Sequence, residues 1–145
     1  MGSKRELSEL LAEVGLFSKC TAHQRRAIAR HAQIAELPAG VELIVEGEPG
    51  DALFVIVDGR AIIRKDSVEL NRVGPGAYFG ELAILDGEPR SATVVAETDV
   101  KVAVIGIRMF RTLLREYSDL AAQLLIALAG ELREARKVQE RSASR

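Results

Sequence analysis

What most constrains this chain is the punctuation of its middle. Between residues 34 and 106, short runs rich in Val and Ile alternate with clusters of Gly, Pro and Asp. Ile34–Leu37, Val41–Glu46, Ala52–Val57 and Arg60–Lys65 read as strands. The turn signals between them are Pro38-Ala39-Gly40, then Gly47-Glu48-Pro49-Gly50, then Asp58-Gly59. Asp58-Gly59, set between two apolar runs, predicts a two-residue hairpin, because both residues tolerate positive φ. Gly74-Pro75-Gly76 marks another break, and Ser91–Glu97 and Val100–Ile105 form a second predicted strand pair around Thr98-Asp99.

Both ends read as helical. Ser3 and Glu6 have capping-box spacing, and Leu7, Leu10, Leu11 and Val14 then line one helix face, with Gly15 placed to end it in a left-handed conformation. Thr21 and Gln24 repeat the capping-box pattern before a second short helix carrying Ile28, whose Arg25, Arg26 and Arg30 read as a solvated face. After the strands, Phe110, Leu113 and Leu114 predict a helix from Arg108. A longer helix follows with Ala121, Leu125, Leu128, Leu132 and Ala135 on one stripe, highly charged from Glu131 to Arg141, before a frayed tail at Ser142–Arg145. That stripe covers about two heptads, short of a coiled coil, and so predicts packing on the strands, with a weak homodimer as the alternative to a monomer. Helices, then many strands, then helices predict an α+β fold: an antiparallel, jelly-roll-like β-roll flanked by N-terminal and C-terminal helices, not a βαβ fold. The expected division is one domain over 1–145, with helices in 1–33, the roll in 34–106 and helices in 108–141.

A chain of 145 residues with 48% hydrophobic content is enough for one domain with a real core. No apolar run approaches the ~20 residues that span a bilayer, and charges from Lys4 onward interrupt any signal-peptide core. Met1-Gly2 opens a myristoylation pattern, but Glu6 stands where that pattern needs Ser or Thr. One cysteine, Cys20, forms no internal disulfide, and the formal net charge of −1 gives no electrostatic case for nucleic-acid binding. These features predict a soluble cytoplasmic domain without membrane or nucleic-acid partners. His23 and His31 lie outside the i, i+4 spacing of a helical metal pair and read as surface residues, so no metal site is expected. No nucleophile, base and orienting group assemble into a catalytic set, which predicts no enzyme activity and no cofactor.

The chemistry concentrates in Phe79-Gly80-Glu81-Leu82-Ala83-Ile84-Leu85 and Asp86-Gly87-Glu88-Pro89-Arg90-Ser91-Ala92-Thr93. Gly80 permits close backbone approach. Glu81 to Leu85 could form one helical turn whose N–H groups attract an anion. Arg90 supplies a permanent cation with a planar fork suited to phosphate or carboxylate. Together they make a compact site for a small ligand bearing both an anion and hydroxyls. Residue by residue, the favoured reading of the same string is an internal Glu81–Arg90 salt bridge beside a turn glycine, since both features are common in ordinary proteins.

As a whole, Phe79 to Thr93 resembles the phosphate-binding cassette of the cyclic-nucleotide-binding domain family: Phe-Gly-Glu, a short apolar helix, a turn, then Arg, a small residue, Ala and often Thr. Regulatory subunits of cAMP-dependent protein kinase, the bacterial catabolite activator protein and cyclic-nucleotide-gated channels belong to that family. Gly47, Gly50 and Gly59 resemble its turn glycines, and the helix–roll–helix order is its own. The resemblance implies that Arg90 holds a cyclic phosphate, helped by the Ala92 N–H, and that Glu81 accepts from the ribose 2′-OH beside a backbone contact from Gly80. It implies further that Leu82 and Ala83 lie beside the sugar-phosphate and that Ser91 offers its hydroxyl to the phosphate or to a guanine amino group. The ligand implied is cAMP, with cGMP its competitor. The activity implied is that of a stand-alone sensor, whose C-terminal helices move to signal to a protein effector. No winged helix follows the last helix, so DNA binding is not expected, whether the chain is free-standing or a fragment. A non-binding interaction module of the same fold and a cupin-like metalloenzyme are the rivals; Glu81 and Arg90 speak against the first, and strands without histidine against the second.

Overall fold

The computed structural model describes residues 2–80 and 87–143. Its N-terminal part comprises helix α1 (Gly2–Leu11), a 3-10 helix (Gly15–Phe17) and helix α2 (Ala22–His31). Among the described residues eight strands follow: β1 (Gln33–Leu37), β2 (Glu42–Ile44), β3 (Ala52–Asp58), β4 (Ala61–Lys65), β5 (Val68–Val73), β6 (Tyr78–Phe79), β7 (Thr93–Ala96) and β8 (Val100–Gly106). Helices α3 (Ile107–Glu116) and α4 (Leu120–Ala143) close the chain. The strands form two four-stranded antiparallel sheets, ordered β1-β8-β3-β6 and β2-β7-β4-β5. This is the α+β roll with flanking helices that the punctuation of the sequence predicts.

Two apolar clusters hold it together, and β3 feeds both. Side chains alternate across a strand, so Leu53 and Val55 face the helices while Phe54 and Ile56 face the second sheet. That double burial explains why β3 reads as an unbroken apolar run. On the helix side, Leu7, Leu11, Phe17, Ile28, Phe110 and Leu113 close over Leu53 and Val55. Each such fully buried side chain contributes roughly 1.5–3 kcal/mol of transfer free energy. Between the sheets, Ile56, Phe79, Val94 and Val102 make the second cluster.

Several local expectations need correction. Asp58-Gly59 is not a hairpin, since β3 pairs with β8 and β6 while β4 pairs with β5 and β7. The chain crosses there from one sheet to the other, and it crosses back at Thr98-Asp99, so β7 and β8 do not pair either. The two corners pack on each other: Gly59 has φ +92, and a Cβ on it would lie 2.3 Å from the Asp99 carbonyl oxygen. The two-residue hairpin is Asp66-Ser67 instead, joining β4 to β5 with φ values of 52° and 66°. Positive φ at both central positions matches the right-handed twist of the flanking strands.

The helices carry two more corrections. α1 already runs through Ser3, so Ser3 is not its N-cap, and Gly15 opens the 3-10 helix without positive φ. On α4 the buried residues are Leu120, Leu124 and Ala127; of the predicted stripe Leu128 packs against the helix-side cluster, while Leu125 and Leu132 are exposed. The capping box of α2 forms as predicted: the Gln24 N–H donates to Thr21 Oγ1 at 3.1 Å, and the Thr21 N–H donates to Gln24 Oε1 at 2.9 Å. Among the described residues no helix is long and apolar enough to cross a membrane.

Candidate functional site

Among the described residues the buried polar side chains are Gln24 and Arg90. Gln24 is accounted for by its cap. Arg90 is a cation held 9% exposed, and a buried charge demands partners at its site.

Its backbone is pinned first. The Gly47 N–H donates to the Arg90 carbonyl at 2.9 Å, and the Arg90 N–H donates to the Glu48 carbonyl at 2.8 Å. The loop after β2 therefore grips Arg90 as a strand partner would. Thr93 Oγ1 steadies that loop by accepting from the Glu46 N–H at 2.9 Å. The guanidinium then points inward: Nη2 donates to the Ala52 carbonyl at 3.0 Å and Nη1 to the Gly80 carbonyl at 3.3 Å. It lies 6.0 Å from the centre of the Phe54 ring, which stacks on Phe79 at 6.1 Å. Gly80, with φ +97, is required by this seat, because a Cβ there would fall 2.5 Å from both the Ala52 oxygen and Arg90 Nη1.

Beside the guanidinium opens a cavity of about 210 Å³. Gly80, Arg90, Ser91 and Ala92 line it, so four of the predicted ligand residues meet at one place. The other three, Glu81, Leu82 and Ala83, lie outside the described residues. The apolar wall escaped sequence reasoning. Ile44, Val94 and Ile63 are direct cross-strand neighbours, Ile44 opposite Val94 and Val94 opposite Ile63, and make one row across β2, β7 and β4. Tyr78, Phe79 and Pro89 complete the lining. Only strand register brings the row together, and no local signal announces register. The arrangement offers a buried cation, small residues that let a ligand approach the backbone, and a flat apolar surface.

A family model described as "Cyclic nucleotide-binding domain" matches residues 34–117, which include all of the described strands but the first residue of β1, the residues lining the cavity, and α3. The chain belongs to this family. It is 41% identical over 119 residues to a cAMP-dependent protein kinase regulatory subunit of Aspergillus niger, covering 81% of this chain and 29% of that protein. The cyclic nucleotide-binding chain thus spans less than a third of that curated relative. A solved regulatory domain of Toxoplasma gondii PKA with cAMP superposes with a TM-score of 0.76 at 25% identity, over 90% of this chain and 50% of that one. The N-terminal domain of a transcriptional regulator from Streptomyces coelicolor does so with a TM-score of 0.79 at 30% identity, over 90% of this chain and 94% of that one.

The remaining candidates are peripheral to the cavity. His23 and His31 are exposed, and the His23 ring meets Tyr117 edge-on at 5.7 Å. Among the described residues no three His, Cys, Asp or Glu side chains group as metal ligands would. Cys20 is buried in the helix-side cluster, where desolvation pushes its thiol pKa up against a smaller opposing pull from Arg25.

Proposed function

We propose that this chain is a cyclic-nucleotide sensor without catalytic activity, binding cAMP in preference to cGMP and passing its occupancy to a protein effector through the C-terminal helices. The observation that carries the reading is Arg90: a buried cation whose guanidinium donates to the Ala52 and Gly80 carbonyls, in a residue that lines one cavity together with Gly80, Ser91 and Ala92. In this reading the cyclic phosphate takes guanidinium N–H groups in charge-assisted bonds, with the Ala92 N–H as a further donor. The row of Ile44, Val94 and Ile63 gives the sugar and base an apolar surface. Glu81 receives the ribose 2′-OH, the hydroxyl that a 3′,5′-cyclic nucleotide leaves free; Leu82 and Ala83 lie along the sugar-phosphate. The Ser91 hydroxyl reaches the phosphate, or a guanine amino group if cGMP enters.

Calorimetric titration with cAMP, cGMP and 5′-AMP tests it. Saturable one-to-one binding of a cyclic nucleotide, with little response to 5′-AMP, is the expected result. Absence of heat and of thermal stabilisation with all three would make the chain an interaction module of the same fold.

A further inference from the structure

Three residues distant in sequence meet on the helix side of β6. Tyr78 Oη donates to both carboxylate oxygens of Glu131 on α4, at 2.5 Å to Oε1. The same carboxylate rests against Gly15: a Cβ there would lie 2.3 Å from Glu131 Oε1 and 3.8 Å from the Tyr78 ring. Gly15 opens the 3-10 helix against which α4 packs. One carboxylate on α4 therefore ties the N-terminal segment to β6.

β6 is itself a two-residue strand, hydrogen-bonded at the sheet edge to β3. Its next residue, Gly80, offers the carbonyl that accepts from Arg90 Nη1 at 3.3 Å. Tyr78 packs with the helix-side cluster and Phe79 with the inter-sheet cluster. The short segment Tyr78-Phe79-Gly80 is thus held by Glu131 from one side and by Arg90 from the other.

We propose that Gly15, Tyr78 and Glu131 form a clasp that opposes ligand binding at Arg90 and links that binding to the seating of α4. The inference rests on the cyclic-nucleotide reading above. A phosphate on Arg90 competes with the Gly80 carbonyl for the Nη1 N–H, and a long bond of 3.3 Å to an uncharged acceptor yields readily to a shorter one to an anion. Once Gly80 is released, β6 loses its tether on the cavity side and shifts, and the clasp resists that shift because Tyr78 is tied to α4. Linkage is reciprocal, so the ligand loosens the clasp by the same factor that the clasp weakens the ligand.

Two variants test the clasp by different means. Tyr78→Phe removes one hydroxyl. Gly15→Ala removes no polar group but pushes the Glu131 carboxylate from its seat, at a position whose φ suits alanine. Both should bind cAMP about threefold to tenfold more tightly than wild type, the worth of one net hydrogen bond. In hydrogen exchange, cAMP should speed exchange of the α4 amides around Glu131 in wild type, and both variants should show that faster exchange before cAMP is added. Unchanged or weakened cAMP affinity in both folded variants, beside a wild type that binds, overturns the clasp alone. A wild type that binds no cyclic nucleotide overturns the underlying reading and the clasp with it, a result visible before any variant is made.

Discussion

The two apolar clusters share β3 and differ in what they contain. The helix-side cluster, built around Leu53, Val55 and Phe17, holds no buried charge among the described residues. The inter-sheet cluster borders Arg90, whose guanidinium lies near the Phe54 ring and lines the cavity. A buried cation is a poor route to stability, since its desolvation cost offsets most of the attraction it gains. The contrast teaches that one face of β3 secures the fold while the other keeps a site. Stability and binding should therefore respond to different residues.

The largest expected effect lies on the cavity face. Arg90→Ala should weaken cAMP binding by about 2–5 kcal/mol, the range for truncating one partner of a desolvated charge pair. That corresponds to on the order of 30-fold to several thousand-fold in affinity, read by calorimetry. A folded Arg90→Ala protein with wild-type affinity would remove the phosphate assignment and erase the contrast. On the opposite face, Leu53→Ala should lower unfolding stability by about 2–4 kcal/mol, through lost transfer energy plus a residual cavity. Denaturant titration measures it, and the affinity of the folded fraction for cAMP should stay close to wild type.

Smaller effects sharpen the comparison. Thr21→Ala removes the cap of α2, beyond the cavity, and should cost about 1 kcal/mol in the same titration with cAMP affinity untouched. A selective loss of binding would mean that the helix layer shapes the site directly. The smallest effect is a pH dependence from Cys20. Burial raises its thiol pKa above the ordinary 9.0, so the folded chain keeps a proton that the unfolded chain loses. Stability from this group is complete below 9.0 and declines as pH rises from there through the folded value. Alkaline denaturation of wild type and Cys20→Ala should diverge in that window; parallel curves would show the thiol to be free of its surroundings.

The exposed arginines set Arg90 in relief. Arg72 bonds Glu69 at 3.1 Å and Glu97 at 2.5 Å with about half of its side chain in water, 48% exposed. The hydrogen bond that Arg72 donates is the chief cause that lowers the Glu69 carboxyl pKa. Such a network is screened by solvent and salt.

Much of the site is legible in the sequence because it is local. Gly80 and the Arg90-Ser91-Ala92 run sit within one short stretch, and each residue type carries its own chemical reason. The apolar wall is not legible, since Ile44, Ile63 and Val94 become neighbours only through pairing across three strands. Asp58-Gly59 shows the same limit. Gly59 does adopt the positive φ that its residue type allows, yet that tolerance says nothing about which strands pair. The stripe predicted on α4 shares only Leu128 with the packed face, because apolar residues crowd most sides of its first half and leave the phase of burial undetermined.

By itself, then, the sequence determined what depends on near neighbours: the α2 cap, the succession of short strands between helices, and the segment carrying Gly80 and Arg90. Tertiary structure alone decided which strands joined which sheet, which apolar residues faced the cavity, and that Tyr78 met Glu131 and Gly15. The physical reason is range. Backbone conformation and capping are settled within a few residues, whereas register and packing are settled by long-range burial, to which many distant residues contribute together.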